Sequence, residues 1–174
     1  MTSVKELKDK IMEYCLDEGI LGKKAPKNPK VDFAFELKFP PNSQRPMKMM
    51  LIKPKEKKAV LIQIATQIAK KHVESLNSQD PKGVLKFFYQ LKKLLLIKNM
   101  SYNIDAKNAR YVSSDIIYPD GLNEDLFYKT LRKIFNISLY VNMMLTEMMT
   151  GKISGKSGGS GTLGDDFDFS SGSS

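Results

Sequence analysis

The sequence predicts an α+β fold, a two-layer sandwich in which an antiparallel sheet of about five strands carries N-terminal, central and C-terminal helices. Two observations lead to it. Apolar residues alternate with polar or small ones over residues 31–39, and further β-type runs follow at 47–53 and 59–65 across short connections, which favour antiparallel neighbours. Around these runs lie stretches in which apolar residues return every three or four positions, the mark of helices with one buried face. No glycine-rich turn joins a strand to a helix as a nucleotide-binding fold would require, and no repeat of solenoid or propeller length is visible.

The first element is a helix over residues 3–18, with Val4, Leu7, Ile11, Tyr14, Cys15 and Leu16 on one side. Ser3 and Glu6 have capping-box spacing, and Gly19 ends the helix. Residues 22–30, rich in proline and lysine, read as a basic loop. The strand over 31–39 places Val31, Phe33, Phe35, Leu37 and Phe39 on its buried face. A loop over 40–46, a strand over 47–53, a charged connection over 54–58 and a strand over 59–65 follow. Residues 66–76 are expected to be helical. Asp80 and Pro81 then have the order of an N-cap and a first helical residue, opening a helix over 82–98. Residues 100–105 and 110–117 form a hairpin across Lys107 and Asn108. After a turn at Pro119, Asp120 and Gly121, Asn123 caps a long helix reaching Met149, with Leu122 and Phe127 at hydrophobic-staple spacing.

At 174 residues, 41% of them hydrophobic and 27% charged, the chain has the composition of a globular protein with one domain, placed at residues 1–150. Seven of the 11 glycines fall within residues 151–174, and 14 of those 24 residues are Gly or Ser, so that stretch is expected to be a disordered tail. Three aspartates outweigh two lysines there, so residues 1–150 carry +10 against the whole chain's net +9 and the basic character belongs to them. No apolar run approaches the roughly 18 residues of a membrane span, and the charged start MTSVKELKD is no signal peptide; a cytoplasmic location is expected. One cysteine, Cys15, and one histidine, His72, provide no zinc or iron–sulfur ligand set and no Cys–His nucleophile. The string from Gly151 to Ser157 has a phosphate-loop flavour, but only three residues separate Gly151 from Gly155 and the string follows a helix rather than opening one. No catalytic residue, cofactor or metal is assigned, and a non-enzymatic function is expected.

Four features lie together between Lys5 and Leu145: the helix end Cys15-Leu16-Asp17-Glu18-Gly19, the alternating strand Val31 to Phe39, a hairpin centred on Lys53-Pro54-Lys55, and the turn Ile117-Tyr118-Pro119-Asp120-Gly121-Leu122-Asn123, which opens the last helix through Phe135. In these the chain resembles a small uncharacterised prokaryotic family, many of whose members are archaeal, with a type III secretion chaperone-like fold. The resemblance implies a binding module, often a homodimer, with no active site to carry over. Cys15 stands where an aromatic residue would be expected before Leu16, and the Gly/Ser-rich tail has no counterpart in the pattern.

Three sets of residues are candidates for contact with partners. Asp165, Asp166, Phe167, Asp168 and Phe169 set two phenylalanines among carboxylates with no core to join, which fits a docking peptide for another protein, self-docking on the basic body, or simple solvation. Val141, Met144, Leu145 and Met148 lie on a helix end that is apolar nearly all round, a candidate dimer or partner interface. Lys82, Lys86 and Lys93, with Lys92 and Lys98, make one helix basic; with Lys53, Lys55, Lys57, Lys58, Lys70 and Lys71 they form either a solvated face or a surface for a polyanion. Met47, Met49 and Met50 read as gap-filling core or as an adaptable apolar groove. The function expected is a protein-interaction or chaperone-like module binding a partner segment, self-associating as a homodimer. The alternative is a basic accessory protein that contacts nucleic acid electrostatically.

Overall fold

The computed structural model of the chain describes residues 3–151. Helix α1 (Val4–Asp17) is followed by strands β1 (Leu21–Lys24), β2 (Val31–Phe39), β3 (Met47–Pro54) and β4 (Val60–Gln67). Helices α2 (Lys70–Gln79) and α3 (Gly83–Ile97), strands β5 (Ser101–Asp105) and β6 (Arg110–Ile117), a 3-10 turn (Pro119–Gly121) and helix α4 (Glu124–Thr150) complete the order. The six strands form one sheet in the order β1-β2-β3-β4-β6-β5. The α+β class with an antiparallel sheet is as predicted, with one strand more.

That extra strand, β1, occupies the start of the predicted basic loop. Its four residues are too short and too polar to show alternation, but Gly22 explains why the chain can lie there. A Cβ at Gly22 would sit 2.8 Å from the carbonyl oxygen of Glu36, so only glycine lets β1 approach β2 this closely. The pairing runs Leu21 opposite Leu37 and Lys24 opposite Phe35, with a register shift between them, and Lys38 N–H donates to the Ile20 carbonyl at 2.8 Å.

Two helix starts also differ from expectation. Strand β4 continues to Gln67, whose side-chain amide donates to the Asn108 carbonyl at 2.7 Å, and Ile68 N–H donates to the Ala109 carbonyl at 2.9 Å, so α2 begins only at Lys70. Helix α3 begins at Gly83 with Lys82 as its N-cap, not at Asp80. Asp80 still serves the junction, accepting from Lys82 N–H at 2.8 Å. The helix start at Ser3 is as read: the side chains of Ser3 and Glu6 each accept from the other's backbone N–H, at 3.1 and 2.7 Å.

Contacts along the chain cluster into two compact units. The first comprises residues up to Ala65 with Val112–Asn136. Helix α1 lies against β1 and β2 and buries Leu7, Ile11 and Cys15. The strands contribute one buried row each: Phe33, Phe35, Leu37 and Phe39 from β2, Met47, Met49 and Leu51 from β3, and Val60, Ile62 and Ile64 from β4. Register joins the rows, with Leu37 opposite Met49 and Leu51 opposite both Phe35 and Ile62. Phe127, Leu131 and Ile134 of α4 are fully buried, and Phe135 meets Phe39 edge-on with ring centroids 5.4 Å apart. The second unit comprises Thr66–Tyr111 with the chain from Ile137 onward, and buries Leu76, Phe87, Phe88, Leu91, Leu95, Tyr111, Val141 and Leu145. Within it α2 crosses α3 so tightly that a Cβ on Gly83 would lie 2.2 Å from the Leu76 carbonyl oxygen.

Candidate functional site: a lysine-rimmed groove beside β2 and β3

The second face of the first strands is not simply polar. Ala34 stands opposite Ile52, Ile52 opposite Leu61, and Glu36 opposite Met50, and all five of these side chains are half-buried, not fully exposed. An apolar row thus crosses three strands on the side opposite the buried rows. Beside it runs the 25–30 loop, pinned by hydrogen bonds from Ala25 N–H to the Ala34 carbonyl at 3.4 Å, from Val31 N–H to Asn28 at 3.1 Å, and from Lys55 N–H to Lys30 at 3.0 Å. Asn28 Oδ1 also accepts from Lys30 N–H at 2.9 Å, closing the turn. Loop and strands enclose a groove of about 730 Å³, within the size range of ligand sites, with Ala34, Met50 and Ile52 among its apolar lining.

The rim is basic. Lys8, Lys24, Lys27 and Lys55 line the groove; Lys8 is half-buried and the other three are exposed. The acid on the wall, Asp32, pairs with Lys53 at 3.2 Å. Lys53 is itself buried, and its ammonium also donates to the carbonyls of Pro54 at 2.9 Å and Lys57 at 2.7 Å. Its three donors therefore all have acceptors, and Lys53 organises the 54–57 turn. It is not part of a basic surface, which corrects its place among the surface lysines. The groove offers apolar floor and positive rim, which suits an extended apolar segment bearing negative charge.

The residues singled out in the sequence fall in different places. The string 165–169 lies outside the described residues. Val141 and Leu145 are buried in the chain's own second unit and Met144 and Met148 are half-buried, so the outward side of this helix end is instead Leu139, Tyr140 and Met143. Lys82, Lys86 and Lys93 are exposed as expected, but two of them have neighbours. Lys86 pairs with Asp80, and Lys93 Nζ sits 4.5 Å above the Tyr89 ring. The Lys86 hydrogen bond, followed by that from Lys82 N–H, holds the Asp80 carboxyl below its usual range. Met47 and Met49 are core, whereas Met50 lines the groove. The apolar identities of Ala34, Met50, Ile52 and Leu61, alternate to the core positions, were the sequence signal for a covered second face.

Nucleophilic and metal chemistry have little to work with among the described residues. Burial pushes the Cys15 thiol up to about 12, leaving no thiolate at neutral pH. No group of three or more His, Cys, Asp or Glu side chains is placed to hold a metal ion, and no buried side-chain nitrogen or oxygen lacks a hydrogen-bond partner. No described helix is long and apolar enough to cross a membrane.

These features define a small α+β protein of the type III secretion chaperone-like fold. A chain of the ExsC–ExsE complex superposes over 83% of this chain and 97% of its own length, with a TM-score of 0.51 and 12% identity. A crystal structure of an uncharacterized protein from Methanothermobacter thermautotrophicus is similar over 82% of this chain and 99% of that one, with a TM-score of 0.72 and 20% identity. At such identities both are likenesses of fold. The chain belongs to the family described as uncharacterized conserved protein (DUF2299), whose model matches residues 7–145. No curated protein sequence matches it.

Proposed function

We propose that the chain is a non-enzymatic, chaperone-like interaction module whose residues 1–150 bind an extended, acidic and apolar segment of a partner protein. The observation that carries this reading is the groove beside β2 and β3, with its floor of Ala34, Met50 and Ile52 and its rim of Lys24, Lys27 and Lys55. The fold shared with a chain from a protein–protein complex supports it. The string 165–169 serves as a docking peptide, and the molecule works in the cytoplasm as a homodimer joined through Leu139, Tyr140 and Met143. Nucleic-acid contact through α3 has weaker support, because Asp80 neutralises Lys86 and Tyr89 engages Lys93.

Salt separates the two readings. Affinity purification of the full chain from its native cells, at low and at moderate salt and with nuclease treatment, is expected to retain a bound protein in every condition. Apolar contacts persist where counterion release abolishes polyanion binding. Recovery of nucleic acid alone, lost at moderate salt, would overturn the reading.

A further inference from the structure

We infer that the lysine-rimmed groove is the docking site for residues 165–169 of the same chain, which occupy it until a partner segment displaces them. This rests on the reading of Asp165, Asp166, Phe167, Asp168 and Phe169 as a docking peptide and adds the surface on which they sit. Chemistry matches on both sides. The groove presents an apolar floor at Ala34, Met50 and Ile52, and among the described residues Lys24, Lys27 and Lys55 on its rim have no ion-pair partner. Asp32 on the same wall is taken up by Lys53, so it does not cancel the rim's charge.

The string complements this pattern by its spacing. Side chains two residues apart share one side of an extended chain, so Phe167 and Phe169 point together while Asp166 and Asp168 point the other way. Laid along the groove, the two rings meet the floor and the carboxylates meet the rim lysines. Exposed ion pairs contribute little individually, so the rings supply most of the contact and the aspartates set its orientation. The stretch from Gly151 to Asp165 spans up to about 45 Å when extended. The exposed side of α3 carries Leu85, Tyr89 and Leu96, with a smaller hollow of about 400 Å³ between Tyr89 and Tyr102, but Lys86 and Lys93 there already have partners.

Methyl NMR of the full-length chain, labelled at Met and Ile, tests the assignment. Replacing Phe167 and Phe169 together by alanine is expected to move the methyl signals of Met50 and Ile52 and to leave that of Met143 in place. Lys27→Glu with Lys55→Glu, both at exposed positions, is expected to shift the same two signals toward those of the phenylalanine variant. The effect should be unchanged on tenfold dilution, since docking within one chain does not depend on concentration. Met50 and Ile52 signals identical in the wild type and the phenylalanine variant overturn the proposal. If no methyl moves at all, the string remains available as a docking peptide for an external partner. If Met143 or Ile97 moves instead, the string docks on the chain elsewhere and the groove assignment fails. Loss of the effect on dilution means that a second copy supplies the string, which also overturns same-chain docking.

Discussion

The hydroxyl of Tyr128 donates a 2.5 Å hydrogen bond to the carbonyl oxygen of Tyr14, joining the start of α4 to the last turn of α1 across 114 residues of sequence. The same carbonyl accepts from the C-cap Glu18 N–H at 3.4 Å, so the hydroxyl adds a second, shorter bond that ties the end of α1 to α4. The Tyr14 ring packs on Phe127 at 5.8 Å, which fixes the same junction from the apolar side. Tyr128→Phe keeps the ring and removes only the donor. It is expected to lower stability by about 1–2 kcal/mol in urea denaturation without altering the secondary structure seen by circular dichroism.

Alkaline pH should weaken the same unit. Burial, followed by the charges of Glu18 and Glu124, pushes the Tyr128 hydroxyl up to about 12, and burial pushes the Cys15 thiol to the same range. Both groups lose their protons more easily when unfolded, with ordinary values of 10.0 and 9.0, so stability present below pH 9 is lost as pH rises toward 12. Denaturation midpoints measured across this interval should fall, and Cys15→Ala should make the fall shallower. A thiol reagent at pH 8 should label Cys15 only on unfolding.

Lys53 and Lys55, two residues apart, should behave as different kinds of lysine. Removing the buried Lys53 ammonium leaves Asp32 and two carbonyls without their donor, and Lys53→Ala is expected to cost about 3 kcal/mol. Lys55→Ala, at an exposed position, should change stability by no more than about 0.5 kcal/mol. Equal costs in chemical denaturation would contradict the assignment of Lys53 to the interior.

The frame of this molecule was legible because its signals are local. The alternation of β2, the capping box at Ser3 and the staple pair Leu122 and Phe127, both buried, are each written within a few residues. The elements misplaced in the sequence depend on distant partners. Strand β1 exists because Gly22 can lie against Glu36, and β4 is prolonged by Asn108 and Ala109, more than 40 positions away. The groove was hidden for a related reason. Ala34, Met50, Ile52 and Leu61 become one row only through the register of three strands, and periodicity within a single strand assigns them to the outer face without saying that the face is covered. Lys53 could be told from its neighbours only by the turn that folds over it.

The homodimer proposed through α4 makes a separable prediction. Met143→Asp, at a side chain 54% exposed, should leave the fold intact and halve the mass seen by sedimentation equilibrium. Val141→Asp, at a position 2% exposed, should instead unfold the second unit. A wild-type chain that sediments as a monomer at high concentration would remove the dimer.

The most direct test is what touches the groove floor inside the cell. A photoreactive benzoyl-phenylalanine placed at Ile52 of the full-length chain, with Phe167 and Phe169 replaced by alanine to clear the groove, should cross-link to a discrete protein through an acidic, apolar segment identifiable by mass spectrometry. The same group at the exposed Asp120 should give no such adduct. Cross-links at position 52 that match those at position 120, or that disappear on nuclease treatment, would contradict the claim that this face binds a protein segment.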